Sequence, residues 1–162
     1  MEVAIILAIK KIRTNDDPVL KRKAKKVTNI DDRLERLLTN MLDTMYEAEG
    51  IGLAAPQIGI SKRVIVVDIG EDEIYQLINP EIVDTSDEQE KALEGCLSYP
   101  GLQGRVTRPV KVTVKALNPQ EEEMIIEAEG LLARALQHEI DHLDGITFID
   151  RAEEVFREEE SH

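Results

Sequence analysis

The stretch Gln137-His138-Glu139-Ile140-Asp141-His142 decides how this chain is read. Leu131, Leu132, Ala135 and Leu136 before it and Leu143 after it recur at the three-and-four spacing of one helix face, and Gly130 and Gly145 bracket the segment. On a helix, residues four apart share a face with Cβ atoms about 5–6 Å apart, so His138 and His142 can reach one metal ion together. Glu139 is rotated by one position. It can touch a water at the ion without being a ligand, which is where a general base belongs. The helix is therefore expected to carry a hydrolytic metal site.

A site with two histidines needs a third ligand, and the chain offers few. His162 is the only other histidine and is the last residue. The H-E-x-x-H-x-x-G-x-x-H pattern would require histidine where Phe148 stands, although Gly145 matches it. Glu158, Glu159 and Glu160 fall in an acidic tail with nothing evident to hold them. Cys96 remains. Its thiolate is a good ligand for zinc or ferrous iron, and one cysteine with two histidines leaves a fourth position open for water or substrate. Glu94, Gly95, Leu97, Ser98 and Pro100 surround it with the makings of a turn or strand edge, so the thiol is expected to be presented and not buried in an apolar run.

The remaining elements place these residues in an α+β layout of strands between two helices. Residues 31–49 read as a helix with Leu34, Leu37, Leu38, Met41, Leu42, Met45 and Tyr46 along one buried stripe, started by Asp31 or Asp32 and stopped by Gly50. Residues 63–69, 74–83, 110–117 and 124–128 are Val- and Ile-rich and read as strands of antiparallel sheet, with a turn at Asn118-Pro119. The expected architecture is antiparallel sheets packed around the central HExxH helix, in one catalytic domain over residues 1–162 with a short acidic tail from about 151.

Composition narrows the function classes. At 162 residues there is room for one compact core. Thirty-three acidic against 20 basic residues give a net charge of −13, which disfavours a general nucleic-acid surface. Eight of the basic residues crowd into positions 10–26, a segment read as a solvated face rather than a docking patch. A single cysteine precludes an intramolecular disulfide and fits a reducing compartment, with the cytoplasm as the default. The apolar opening at residues 3–9 is too short to span a bilayer and reads as a strand or a packed terminal arm. No membrane association is expected.

Three segments, GIGLAAPQ at 50–57, EGCLS at 94–98 and QHEIDH at 137–142, match in order and spacing the signature segments of the peptide deformylase family, and the resemblance covers nearly the whole chain. It implies an enzyme that removes the formyl group from the N-terminal methionine of nascent polypeptides and releases formate. By that resemblance Cys96, His138 and His142 hold one divalent ion, ferrous iron being favoured with zinc, nickel or cobalt able to substitute, and Glu139 is the general base. Ferrous iron beside a thiolate would make Cys96 sensitive to oxygen and peroxide. The side-chain amide of Gln57 and the backbone N–H of Leu97 are expected to stabilise the oxyanion. Ile51 and Gly95 are expected to pair with the substrate backbone and Gly52 to crowd the formyl carbon. The methionine side chain would lie among Ile51, Leu131, Ala135 and the His138 ring.

Glu94 and Arg108 are expected to form an ion pair behind Cys96. Arg134 could follow the pocket rim or point to solvent, and Asp141 could orient a histidine or face water. Many relatives continue into a long C-terminal helix, whereas here residues 151–162 hold Arg151 and Arg157 against five glutamates. Transient ribosome contact stays open as a partnership, but so acidic a tail is unsuited to carry it. Two other readings stay open: a small HExxH metallopeptidase, which only its substrate would separate, and a non-catalytic relative that keeps the ligands.

Overall fold

The computed structural model describes residues 9–158. All but the last residue of the apolar opening, together with Glu159, Glu160 and His162, lies outside the described residues.

Eight strands and three helices follow one another as α1 (Asp32–Glu47), β1 (Gly52–Ala54), β2 (Val64–Val67), β3 (Tyr75–Thr85), β4 (Gln89–Gly95), β5 (Leu102–Pro109), β6 (Lys111–Leu117), β7 (Glu123–Glu129), α2 (Gly130–Leu143), α3 (Phe148–Arg151) and β8 (Glu154–Arg157). They form a five-stranded sheet in the order β1-β2-β3-β6-β7 and a three-stranded sheet in the order β4-β5-β8, antiparallel at every pairing. This is the expected α+β class.

Strand β2 shows why the larger sheet is sandwiched. Its four residues Val64, Ile65, Val66 and Val67 are all fully buried, and successive side chains on a strand point to opposite faces. Val64 and Val66 pack with Leu34, Leu38, Met41 and Met45 of α1, while Ile65 and Val67 pack with Leu136, Ile140 and Leu143 of α2. Each such buried chain stabilises the fold by roughly 1.5–3 kcal/mol. A smaller cluster of Val19, Leu20, Tyr99, Val106 and Phe148 fills the space beneath the three-stranded sheet. Helix α2 thus runs between the two sheets.

Helix α1 starts where the sequence indicates, with the Asp31 carboxylate accepting the N–H groups of Arg33 and Leu34. Its end differs from expectation. Glu49, at φ 59°, takes the left-handed turn, and Gly50 serves instead to make room for Leu97, whose Cδ1 would stand 2.7 Å from an added Cβ. Tyr46 is exposed, not part of the buried stripe, and its hydroxyl donates to Asp68 at 2.6 Å, whereas Thr44 is buried. The C-terminal segment is also better held than its acidity suggests. Strand β8 pairs with β5 from Arg157 opposite Leu102 to Glu154 opposite Arg105, and the Glu158 N–H donates to the Gly101 carbonyl. No helix among the described residues is long and apolar enough to cross a membrane.

Candidate active site

The three motif segments converge from different elements. Gln57 lies in a 3₁₀ turn (Ala55–Ile58) after β1, Cys96 follows the last residue of β4, and His138, Glu139 and His142 sit on α2. One ligand atom from each of Cys96, His138 and His142 lies within 4.8 Å of the others, and the Cys96 sulfur is 3.3 Å from His142 Nε2. Tetrahedral ligands at about 2.0–2.3 Å from an ion stand roughly 3.3–3.6 Å apart, so the spacing is that of a metal centre. No other group of three such residues was found among those described. Cys96 is half-buried at the cleft wall, as its flanks indicate.

The tautomer of His138 is set from behind. Its Nδ1–H donates to Glu94 Oε1 at 2.8 Å, which leaves Nε2 as the ligating atom. Glu94 is clamped by the Arg108 fork, with Nε to Oε2 at 2.6 Å and Nη2 to Oε1 at 2.9 Å, so the expected ion pair is present and extends to His138. Burial alone would raise the Glu94 carboxyl, but hydrogen bonds from His138 and Arg108 outweigh it and bring the group down to about 2. Arg134 does not point to solvent. It turns inward to Glu94 Oε2 at 2.6 Å and to the carbonyls of Glu90 and Val106. Asp141 faces neither water nor a histidine: it accepts from Arg108 Nη1 at 2.9 Å and from the guanidinium of Arg151.

Glu139 is buried, and its Oε1 has no partner among the described residues. Burial pushes its carboxyl up to about 7, against the pull of His138. A buried, unpartnered carboxylate facing three metal-type ligands fits a site that receives a cation and a proton donor. His142, buried and next to His138, is held well below the usual histidine range, so its ring stays neutral as ligation demands.

Gln57 has two tasks. Its Oε1 accepts from the Ala54 N–H at 2.9 Å, which caps the 3₁₀ turn, and this orients Nε2 toward Ser98 Oγ at 3.1 Å and the Cys96 sulfur at 3.5 Å. The Leu97 N–H has no acceptor among the described residues. Gly52 lies against Glu139, whose Oε2 would stand 2.6 Å from an added Cβ, so its contact in the structure is with that carboxyl group. Ile51, Leu131, Ala135 and the His138 ring line one cleft of about 380 Å³ with Gly50, Leu97 and Gln57, and Ile51 and Leu131 are exposed at its mouth. Gly95 ends β4 on the facing wall.

Two supports had no signal in the motifs. The Arg13 N–H donates to the Gln57 carbonyl at 2.7 Å and the Asn15 N–H to the Ser98 carbonyl at 2.9 Å, so the basic segment braces the loops of the site from outside the cleft. Phe148 stacks on His138 with ring centroids 6.2 Å apart.

The family model for polypeptide deformylase matches residues 9–158, all of the described chain. The chain belongs to the polypeptide deformylase family. It is 99% identical over 156 residues to a peptide deformylase of Natranaerobius thermophilus, covering 96% of this chain and all of that one. With a peptide deformylase of Carboxydothermus hydrogenoformans it shares 57% identity over 93% of this chain and 98% of the relative. The crystal structure of the deformylase from Thermotoga maritima superposes with a TM-score of 0.87 at 44% identity, covering 90% of this chain and 99% of that one. A deformylase from Synechococcus elongatus in complex with actinonin gives 0.85 at 42% identity, covering 94% and 88%. The deformylase fold of this chain thus brings all three signature segments to one cleft.

Proposed function

We propose that this protein is a metal-dependent peptide deformylase, removing the formyl group from the N-terminal formyl-methionine of nascent polypeptides and releasing formate. One observation carries the reading: Cys96, His138 and His142 form a three-ligand cluster directly beside a buried, unpartnered Glu139 and the amide of Gln57. A purely structural metal would call for neither of the last two.

Cys96, His138 and His142 would hold a divalent ion, which would supply Lewis acidity for the formyl carbonyl and lower the pKa of water. The softness of a thiolate with two imidazoles permits iron or zinc, and membership of the family favours ferrous iron, with zinc, nickel or cobalt as substitutes. Around it the chain's own groups act in sequence. Glu139 takes a proton from the attacking water and returns one to the departing amine. As the carbonyl becomes tetrahedral, Gln57 Nε2 and the Leu97 N–H donate to the oxygen on which negative charge collects. Glu94, fixed by Arg108, keeps the His138 ring in its ligating tautomer. Ile51 before β1 and Gly95 at the end of β4 flank the cleft and would pair with an extended peptide backbone, while Leu131, Ala135 and the His138 ring would receive the methionine side chain. Gly52, by keeping Glu139 close to the reacting carbon, would leave space for formyl and not for acetyl.

Residues 1–162 act as one catalytic domain in this reading. Its substrate class and its one thiol support a cytoplasmic setting. Transient ribosome contact stays open in this reading, with the acidic C-terminal segment unsuited to carry it, and the reading includes no direct nucleic-acid or membrane partner.

The test is formate release from a formyl-Met tripeptide by protein loaded anaerobically with ferrous iron, with the acetylated peptide and Glu139→Ala in parallel. Release from the formyl peptide alone, lost in the variant, is expected. No release with metal demonstrably bound would overturn the assignment.

A further inference from the structure

Helix α3 grips the His138 ring from two directions. Its first residue, Phe148, is fully buried and stacks on the ring at an interplanar angle of 20°. Its last residue, Arg151, stands at the outer end of a chain of charged groups that leads to the ring nitrogen. The Arg151 guanidinium donates to both Asp141 oxygens, with Nη2 to Oδ1 at 2.9 Å. Asp141 Oδ2 accepts from Arg108 Nη1 at 2.9 Å, Arg108 clamps Glu94 through its other two nitrogens, and Glu94 Oε1 accepts from His138 Nδ1 at 2.8 Å.

Asp141, Arg108 and Glu94 are all buried, so each must satisfy its hydrogen-bonding capacity within the network. Arg108 is shared by two carboxylates. Glu94 has Arg134 as a second cationic partner, and Asp141 has Arg151. With Arg151 absent, Asp141 would have Arg108 alone, and the two carboxylates would compete for one guanidinium fork.

We infer that Arg151 is a positioning residue for the metal ligand His138: by saturating Asp141 it keeps the Nε/Nη2 edge of Arg108 on Glu94 and so fixes the ring that Glu94 holds. Arg151 lies outside all three signature segments, and its side chain is 45% exposed, so it can be changed without opening the core. The inference rests on reading Cys96, His138 and His142 as a metal centre.

The experiment measures cobalt affinity by competition with a chromophoric chelator and the visible absorption bands of the bound cobalt, in wild type, Arg151→Met, Arg151→Lys and Lys21→Met. Lys21 pairs with Asp150 on the same short helix without touching Asp141, so its loss loosens α3 and leaves the chain of hydrogen bonds from Arg151 to His138 in place. Replacing partners of metal ligands typically costs 10–100-fold in affinity, and a residue acting through three intervening side chains is expected at the low end, about 3–10-fold, with shifted cobalt bands. Arg151→Lys should recover part of the loss, Lys21→Met should bind as wild type, and Arg151→Met should add nothing in an Asp141→Asn background. Unchanged affinity in Arg151→Met, an equal loss in Lys21→Met, or a full additional loss beyond Asp141→Asn would each overturn the inference. Should Arg151→Met fail to fold, the Arg151→Lys loss, alone and in the Asp141→Asn background, decides in the same way. A wild-type protein that takes up no cobalt would overturn the metal reading itself, whereas a failure to release formate bears on the proposed function alone.

Discussion

Keeping a carboxylate buried and unpartnered at the centre of α2 has a stability cost that pH should reveal. Burial pushes Glu139 up to about 7 from an ordinary value of 4.5. Between those two values the metal-free native state holds a proton that the unfolded chain has released, so stability falls as pH rises through the window and levels off above about pH 7. At 1.36 kcal/mol per pKa unit, the full effect is about 3 kcal/mol, present in alkali and lost below the unfolded pKa. Glu139→Gln removes the titration and leaves a neutral group of the same shape. Urea denaturation of both proteins after chelation, at about pH 5 and about pH 9, should therefore show the variant gaining roughly 2–3 kcal/mol on wild type between the two conditions. Comparing the pH dependence of the difference cancels the unpartnered amide and every other titrating group. Parallel pH dependence in the two proteins would mean that Glu139 is ordinarily solvated in the metal-free state, and the account of it as a carboxylate strained toward neutrality would fail. Metal-loaded protein should lose the difference, because a bound cation stabilises the ionised form.

Gln57→Ala should lower kcat by about 10²–10³-fold with little change in KM, since in the proposed mechanism the lost donor acts on charge that develops only in the transition state; steady-state formate release checks this. Arg108→Leu leaves Glu94 with only Arg134 and His138 and should destabilise the fold by about 3–5 kcal/mol in urea melts. Gly52→Ala would place a methyl group where Glu139 Oε2 now lies, so kcat should fall by up to about 10²-fold while metal affinity, measured by chelator competition, stays near wild type.

The parts of the molecule legible in the sequence are those whose residues carry a strong local signature. The HEIDH spacing located α2 and the two histidines of the cluster, the Asp31-Asp32 pair located the start of α1, and the Val- and Ile-rich run at 63–69 announced a strand. Strands β4 and β5 escaped because large apolar residues are sparse on them, Leu93 along β4 and Leu102 and Val106 along β5: along β4 only Glu94 is buried, and it is buried by ion pairing and not by apolar contact. A periodicity search has nothing to find there. Strand β8, reading Glu-Val-Phe-Arg within an acidic tail, is recruited by the free edge of β5. The supports of the site were hidden for a different reason. Arg13 and Asn15 act through backbone N–H groups, which any residue type supplies, and the partnership of Asp141 with Arg108 and Arg151 joins three separate elements that only the tertiary fold brings together.

The order in which the ligands occur along the chain has a consequence for when the protein can acquire its ion. Gln57 is made early, Cys96 lies at the end of a strand that pairs only with later β5, and both histidines belong to the last helix of any length. The outer support of His138, Phe148 and Arg151, comes later still. A ribosome-bound fragment ending before α3 would present a thiol without its fixed imidazoles, and the sheet that carries Cys96 would lack its third strand. Non-local closure of this kind is slow relative to local helix formation. Metal acquisition should thus coincide with completion of the chain, so that the divalent ions available at that moment, and not during elongation, set which one the Cys96, His138 and His142 cluster takes up.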